Sequence, residues 1–212
     1  MDVRIINTKH RIQMGLITVI GEKPLYKIKD KDIINKAEVS AASYYKYYRD
    51  KSAVLADIEN ELINDFRQAL YTDGKSWLSL KYGPNKKEIS KRINTNVSNI
   101  LNFASDNKEY IVALISKNGD PALRFKMLEL TAQIIKKLLI RSFQIYGQKG
   151  RLAGKDLEVE VITESYAHAL LYPIFFWLTH SDKMSTSDAK KMIEFMMLRS
   201  PYDLSTHHIS NS

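Results

Sequence analysis

Apolar residues in this chain recur mostly at intervals of three and four, a spacing that predicts helices from end to end. Ile12, Leu16, Val19 and Ile20 make the first stripe, with Thr8 as its cap, Gly21 as its stop and residues 1–7 as a loose tail. Pro24 marks a connector over 22–27. Two short patterns follow. Ile33, Ile34 and Ala37 predict about two helical turns over 31–37, capped by Asp30, and Ser40 is a good N-cap for a second short helix, Ala41–Tyr47. From Ser52 onward, Val54, Leu55, Ile58, Leu62, Phe66 and Ala69 predict one long helix ending near Tyr71. Asp73-Gly74 and Gly83-Pro84 then predict a turn-rich boundary loop over 72–85.

The second half continues the pattern. Ile89, Ile93, Val97, Ile100, Leu101 and Ala104 predict a further helix, and Asp106 with Glu109 resembles a capping box for a short one closed by Gly119. Asp120, followed by Pro121 at the first helical position, starts a six-turn helix through Phe125, Leu128, Ala132, Ile135, Leu138, Leu139 and Ser142. Three glycines make 148–155 a loop, 156–179 a helix with Pro173 as an expected kink, and Ser185 with Asp188 a capping box for the last helix. Residues 205–212 are expected to fray. The fold class expected is all-α.

The two short helices near the amino end have the form of a helix-turn-helix, the second being the reader. Its first turn, Ala41, Ala42 and Ser43, has little bulk, so its backbone can approach base edges and thymine methyl groups. Tyr44, Tyr45, Tyr47 and Tyr48 cannot all be buried on one helix, and about half must face outward. Ser40, Ala41, Ala42, Ser43 and Tyr44 are the candidates for contact with bases or sugars, and Tyr45, Lys46 and Lys51 for phosphates; Lys29 is a further DNA-binding candidate, as are Lys9 and Arg11, with plain surface charge the alternative for the last two.

At Ile28, Asp32-Ile33, Ala37, Val39-Ser40, Ser43, Tyr44, Tyr45, Lys46, Tyr47, Lys51 and Leu55 the chain resembles the TetR (tetracycline-repressor-like) family of bacterial transcription regulators. It departs from the family pattern at Lys29, where a capping threonine is usual, at Glu38 in place of the turn glycine, at Ala41 and at Tyr48. A left-handed turn position suits Gly or Asn far better than Glu. The segment 110–125, YIVALISKNGDPALRF, is similar to the body of the dihydroxyacetone-kinase-regulator subgroup. The resemblance implies a three-helix DNA-binding domain over 1–51, a connecting helix over 52–71, and a ligand-binding and dimerisation domain of about five to six helices over 72–212. It further implies a homodimer on a palindromic operator, with a repressor as the leading form; a cytoplasmic location is expected because no apolar run approaches a membrane span or an export signal.

Composition adjusts this picture only slightly. The net charge of +8 suits a nucleic-acid partner, yet the excess lies in the middle: residues 71–155 carry sixteen Lys or Arg against six Asp or Glu, whereas residues 1–70 carry twelve against ten. Solvated lysine-rich faces explain most of it. No cysteine is present, and no apolar run approaches the length of a membrane span or an export signal.

No catalytic constellation is visible, so no enzyme, cofactor or metal is expected. His10, His168, His180, His207 and His208 form no metal-binding spacing, Glu158, Glu160 and Glu164 are expected to be solvated, and His168 reads first as a satisfied core histidine. A small apolar or aromatic effector is the candidate ligand, in a cavity lined by Phe103, Tyr110, Phe125, Leu128, Tyr166 and His168; ordinary core packing is the alternative for the same residues. The last two helices hold more large apolar side chains than one interior takes, and Tyr166, Leu170, Phe176, Trp177, Met192, Phe195 and Met196 are the candidate dimer interface. The competing function is a TetR-like co-regulator that acts mainly through a protein partner.

Overall fold

The computed structural model describes residues 3–83, 85–147 and 154–198, and within them the chain is all-α. The helices in order are α1 (Val3–Glu22), a single 3-10 turn (Leu25–Lys27), α2 (Asp30–Ala37), α3 (Ala41–Tyr47), α4 (Lys51–Leu78), α5 (Lys86–Asn96), α6 (Ser98–Asp106), α7 (Lys108–Ile115), α8 (Pro121–Ile145), α9 (Asp156–Thr179) and α10 (Thr186–Leu198). None of these is long and apolar enough to cross a membrane. The expected loop at 148–153 and the expected frayed tail at 205–212 lie outside the described residues.

Two compact units emerge, Met1–Phe66 with Asn107–Met127 and Arg67–Asp106 with Leu128–Ser212. The first has α1 at its centre, packed on α2, α3 and α7. Ile12, Leu16, Val19 and Ile20 are buried there as their spacing predicts, together with Ile33, Ala37, Val54, Ile58 and Phe66. The helix begins earlier than Thr8, however. Val3 to Asn7 are helical rather than a loose tail, and the Thr8 hydroxyl donates to Arg4 O at 2.8 Å within the helix instead of capping it. The turn before α8 is tied to this unit: Leu25 N–H donates to Asn118 O at 2.8 Å and the Asn118 side chain to Ile20 O at 3.1 Å. Gly119 is required in that turn, because a Cβ there would stand 2.1 Å from Leu114 O.

In the second unit α10 packs on α9 and α5, and α6 packs on α9. Local capping behaves as the sequence predicts at two helix starts. Asp120 accepts the Ala122 N–H at 2.8 Å ahead of α8, and Ser185 and Asp188 exchange bonds of 3.0 and 3.2 Å ahead of α10. Elsewhere the boundaries move. The long helix predicted to stop near Tyr71 continues to Leu78, so Asp73 and Gly74 are helical and the 72–85 loop shrinks to the residues after it; its cap is Asp50, which accepts Ala53 N–H at 2.9 Å, and not Ser52. The helix predicted from Ile89 breaks at Val97 into α5 and α6, and α7 starts after Asn107 with no side-chain cap in place of the expected box at Asp106. α9 continues through Pro173 without interruption.

The turn between α2 and α3 holds a strained residue. Glu38 has φ 51° and ψ 44°, the left-handed conformation, and no other described non-glycine residue has positive φ. An L side chain there costs on the order of 1 kcal/mol. The Arg11 guanidinium donates to its carbonyl at 2.7 Å, a contact the side chain does not supply. Glu38→Gly is therefore expected to raise the stability of the first unit by about 1 kcal/mol in urea denaturation; a lowered midpoint would show that the carboxylate, not the backbone, matters at this turn.

Candidate DNA-reading face

Physical chemistry fixes α3 locally. The Ser40 hydroxyl accepts the Ser43 N–H at 3.1 Å, which satisfies one free donor of the first turn and sets the helix over the residues the sequence predicts. Tyr48 closes it in an extended conformation. One side of this seven-residue helix is committed to the interior. Tyr44 is 0% exposed and Tyr48 is buried, while Ser40, Ala41, Ala42, Tyr45 and Lys46 are exposed and Ser43 and Tyr47 are half-buried. About half of the tyrosines therefore face outward, as expected. The outward surface is small side chains followed by a phenol and an ammonium.

Tyr44 is a correction to the predicted set of base contacts. Its ring meets Tyr45 edge-on at 5.1 Å and its hydroxyl donates to Asp30 Oδ1 at 3.2 Å. Burial, reinforced by the Asp30 charge, pushes the phenol far above its ordinary value, so it stays a neutral donor. Asp30 itself does not cap α2. Lys29 holds the cap position, and the Asp32 carboxylate accepts its N–H at 2.8 Å; the Lys23 ammonium at 2.7 Å, with this bond second, lowers the Asp32 carboxyl. Asp30 instead joins three elements, accepting from Tyr44, from the Tyr45 hydroxyl at 3.4 Å and from Lys51 N–H at 2.8 Å.

Lys51 is the second correction. Its ammonium donates to Leu25 O at 2.6 Å and Ile28 O at 2.8 Å, closing the chain before α2 onto the start of α4. A lysine so held anchors the connection and is not aimed at a phosphate. Lys9 is engaged similarly, 2.7 Å from Asp57, which also accepts from Tyr48 at 2.6 Å and Gln13 at 3.3 Å. Burial raises the Asp57 carboxyl, but Lys9, Tyr48 and Gln13 more than offset it and hold it below the ordinary value. Lys29 remains exposed, and Lys46 stands with its ammonium 5.5 Å from the Tyr47 ring. Nothing in the local sequence marks Asp30 and Asp57 as hubs, since their partners lie 9 to 48 residues away.

The second unit contains a cavity of about 360 Å³ between α4, α5, α6, α8, α9 and α10. Of the six predicted lining residues only Tyr166 belongs to it. Phe103 and Leu128 are buried in ordinary packing, Phe125 is 69% exposed, and His168 is exposed with Nδ1 2.9 Å from Glu164 O, so it is not a core histidine. Tyr110 and Phe125 fall in the other unit. The walls come instead from Leu70, Trp77, Ile93, Ile134, Leu138 and Leu170, with Asp73 and Gly74 on α4. A signal for them exists in the sequence: Leu62, Phe66, Leu70 and Trp77 continue the α4 stripe past the Asp73-Gly74 pair.

The predicted dimer face is divided. Leu170 and Trp177 are buried within the unit and Phe195 is half-buried, whereas Tyr166, Phe176, Met192 and Met196 are exposed. Val161, Ile162 and Tyr172 extend the outward apolar surface of α9, and Tyr172, Phe176 and His180 stack one turn apart along it.

The chain is 26% identical over 104 residues to the uncharacterized HTH-type transcriptional regulator YdgC of Bacillus subtilis (strain 168), a match that takes in 49% of this chain and 51% of that protein. The chain thus spans about half the length of the curated relative it matches. Residues 91–199, about half of the chain, match the TetR-type family model described as "Transcriptional regulator C-terminal region". The chain belongs to the TetR family of transcriptional regulators.

Proposed function

We propose that the protein is a homodimeric DNA-binding regulator, with repression as its leading mode, that sets the outward face of α3 into two successive major grooves of a palindromic operator. Such half-sites lie about 34–36 Å apart, and the operator symmetry mirrors that of the protein. The observation that carries the reading is the division of α3: Tyr44 and Tyr48 fasten it inward, which leaves Ala41 and Ala42 bare and Ser43 half-exposed beside Tyr45 and Lys46. Small residues let a helix approach base edges, and the ammonium and phenol supply phosphate contacts at its end. Lys29 and Ser40 are proposed to join them; Tyr44 and Lys51 are not.

The second copy is proposed to cover the outward apolar side of α9 with Met192 and Met196 of α10. From its middle onward α9 is apolar on its exposed as well as its buried side, with Tyr166, Tyr172 and Phe176 uncovered among the described residues, and such a surface is normally enclosed. A small effector in the body cavity and a place in the dihydroxyacetone-kinase-regulator subgroup belong to the same proposal. Support for the latter is the similarity of the segment 110–125 to that subgroup. A DNA-binding role also implies a cytoplasmic location.

Lys46→Ala tests the assignment. It is expected to weaken binding to all duplexes alike and to reduce the slope of log affinity against log salt by about one. Titration at four salt concentrations reads both. An unchanged slope would remove Lys46 from the interface, and wild-type protein that holds no duplex even at low salt would favour the co-regulator that acts through a protein partner.

A further inference from the structure

The cavity in the second unit has an unusual chemical asymmetry. Its walls are aliphatic and aromatic apart from Asp73, Asn96, Thr131 and Ser142, and the Ser142 hydroxyl already donates to Leu138 O at 2.9 Å. Asp73 is 6% exposed. Its carboxylate lies at the start of α6, where Oδ1 accepts from Asn99 Nδ2 at 2.7 Å and Asn99 N at 3.3 Å, and Oδ2 accepts from Ile100 N at 3.0 Å. All three donors are neutral. No ion pair to Asp73 is present among the described residues; Lys190 acts on the carboxylate from a distance while its ammonium donates to Ser98 Oγ at 3.3 Å.

A carboxylate offers about four acceptor positions, so three donors leave one open, on Oδ2. A buried negative charge held only by dipoles and a distant ammonium is incompletely compensated, and burial accordingly raises the Asp73 carboxyl above its ordinary value despite the Asn99 and Ile100 bonds. Gly74 beside it leaves the α4 wall bare, where a Cβ would meet Ile134 Cγ2 at 3.3 Å. At roughly 30 Å³ for each water-sized portion, a volume near 360 Å³ suits a molecule of about a dozen heavy atoms. An anionic ligand would be repelled by Asp73; a cationic one would complete its coordination in a low dielectric.

We propose that this cavity binds a compact apolar molecule bearing an amine, with the hydrocarbon among Leu70, Ile93, Ile134 and Leu138 and the ammonium toward Asp73. This rests on the reading above that the body takes a small effector, and it names that effector's class. Leu70, Asp73, Gly74 and Trp77 all stand on α4, the helix whose first half belongs to the unit that holds α3, so the ligand would bear on an element shared by both units.

The test uses the full-length protein without DNA and three probes of one chain length, n-octylamine, n-octanol and octanoate, in titration calorimetry. The amine is expected to bind about tenfold or more tighter than the alcohol, the margin of a charge-assisted hydrogen bond, and octanoate weakest. Asp73→Asn should bring amine and alcohol to within about threefold of each other. Ile134→Trp, which fills the cavity and leaves the carboxylate, should abolish binding of both. If Asp73→Asn does not fold, the order of the three probes and the Ile134→Trp result decide alone. Equal affinities, octanoate binding best, or amine binding that survives Ile134→Trp would overturn the proposal. Release of duplex DNA by octylamine is measured separately: amine binding without release counts against the regulatory reading only, and a protein that holds no duplex leaves the calorimetric result standing.

Discussion

Tyr44→Ala is expected to cost the first unit about 3–5 kcal/mol, the range for removing a fully buried aromatic ring, and to abolish DNA binding by unfolding the reader helix. The ring is 0% exposed and lies against Tyr45 and Tyr48, with centroids at 5.1 and 6.4 Å, so its loss leaves a cavity under a helix only seven residues long. So short a helix has little stability apart from its packing. Tyr44→Phe separates core from contact. It keeps the ring and removes only the donor to Asp30, which still accepts Lys51 N–H, at a cost of about 1 kcal/mol. Urea denaturation should show both losses, while operator affinity of the phenylalanine variant stays within about twofold of wild type. An unshifted denaturation midpoint together with a tenfold loss of operator affinity would return Tyr44 to the set of DNA contacts.

The second large effect is expected at the far end of the chain. Phe176 is 43% exposed, stacked between Tyr172 and His180 on the outward side of α9, so Phe176→Asp places a charge on the proposed twofold face without opening the interior. Light scattering after size exclusion should show a dimer for wild type and a monomer for the variant, with the far-UV spectrum unchanged. Operator affinity should fall by about a hundredfold or more, since two half-sites are then bound independently. A variant that remains dimeric would place the interface elsewhere, and a monomeric wild type with full operator affinity would remove the dimer from the mechanism.

What could be read from the sequence follows the range of the forces involved. Ser40, Asp120 and the Ser185–Asp188 pair act on backbone groups within three residues, and each does in the structure what its position suggests. The reader helix, whose outward side is the candidate site, was legible for the same reason. Asp30 was misread because its most economical local role, capping α2, lost to Tyr44, Tyr45 and Lys51, partners that come near only once α3 and α4 have packed. Asp73-Gly74 was misread as a turn because glycine and aspartate signal turns in isolation, whereas packing of Gly74 against Ile134 and bonding of Asp73 to α6 favour continued helix. The break at Val97 has the same origin, since Asp73 supplies α6 with a cap from another helix. The cavity of the second unit therefore has walls other than the six residues the sequence suggests, Tyr166 excepted.

Enrichment of binding sites from a randomised duplex pool, run in parallel with wild type and with Ala42→Glu, asks whether the outward side of α3 reads DNA. Ala42 is exposed on the proposed reading side, where a carboxylate would meet phosphates and base acceptors without disturbing Tyr44. Wild type should enrich a twofold-symmetric motif with half-sites about ten base pairs apart, and the variant should enrich none. The same motif enriched equally by both proteins would contradict a reading role for α3.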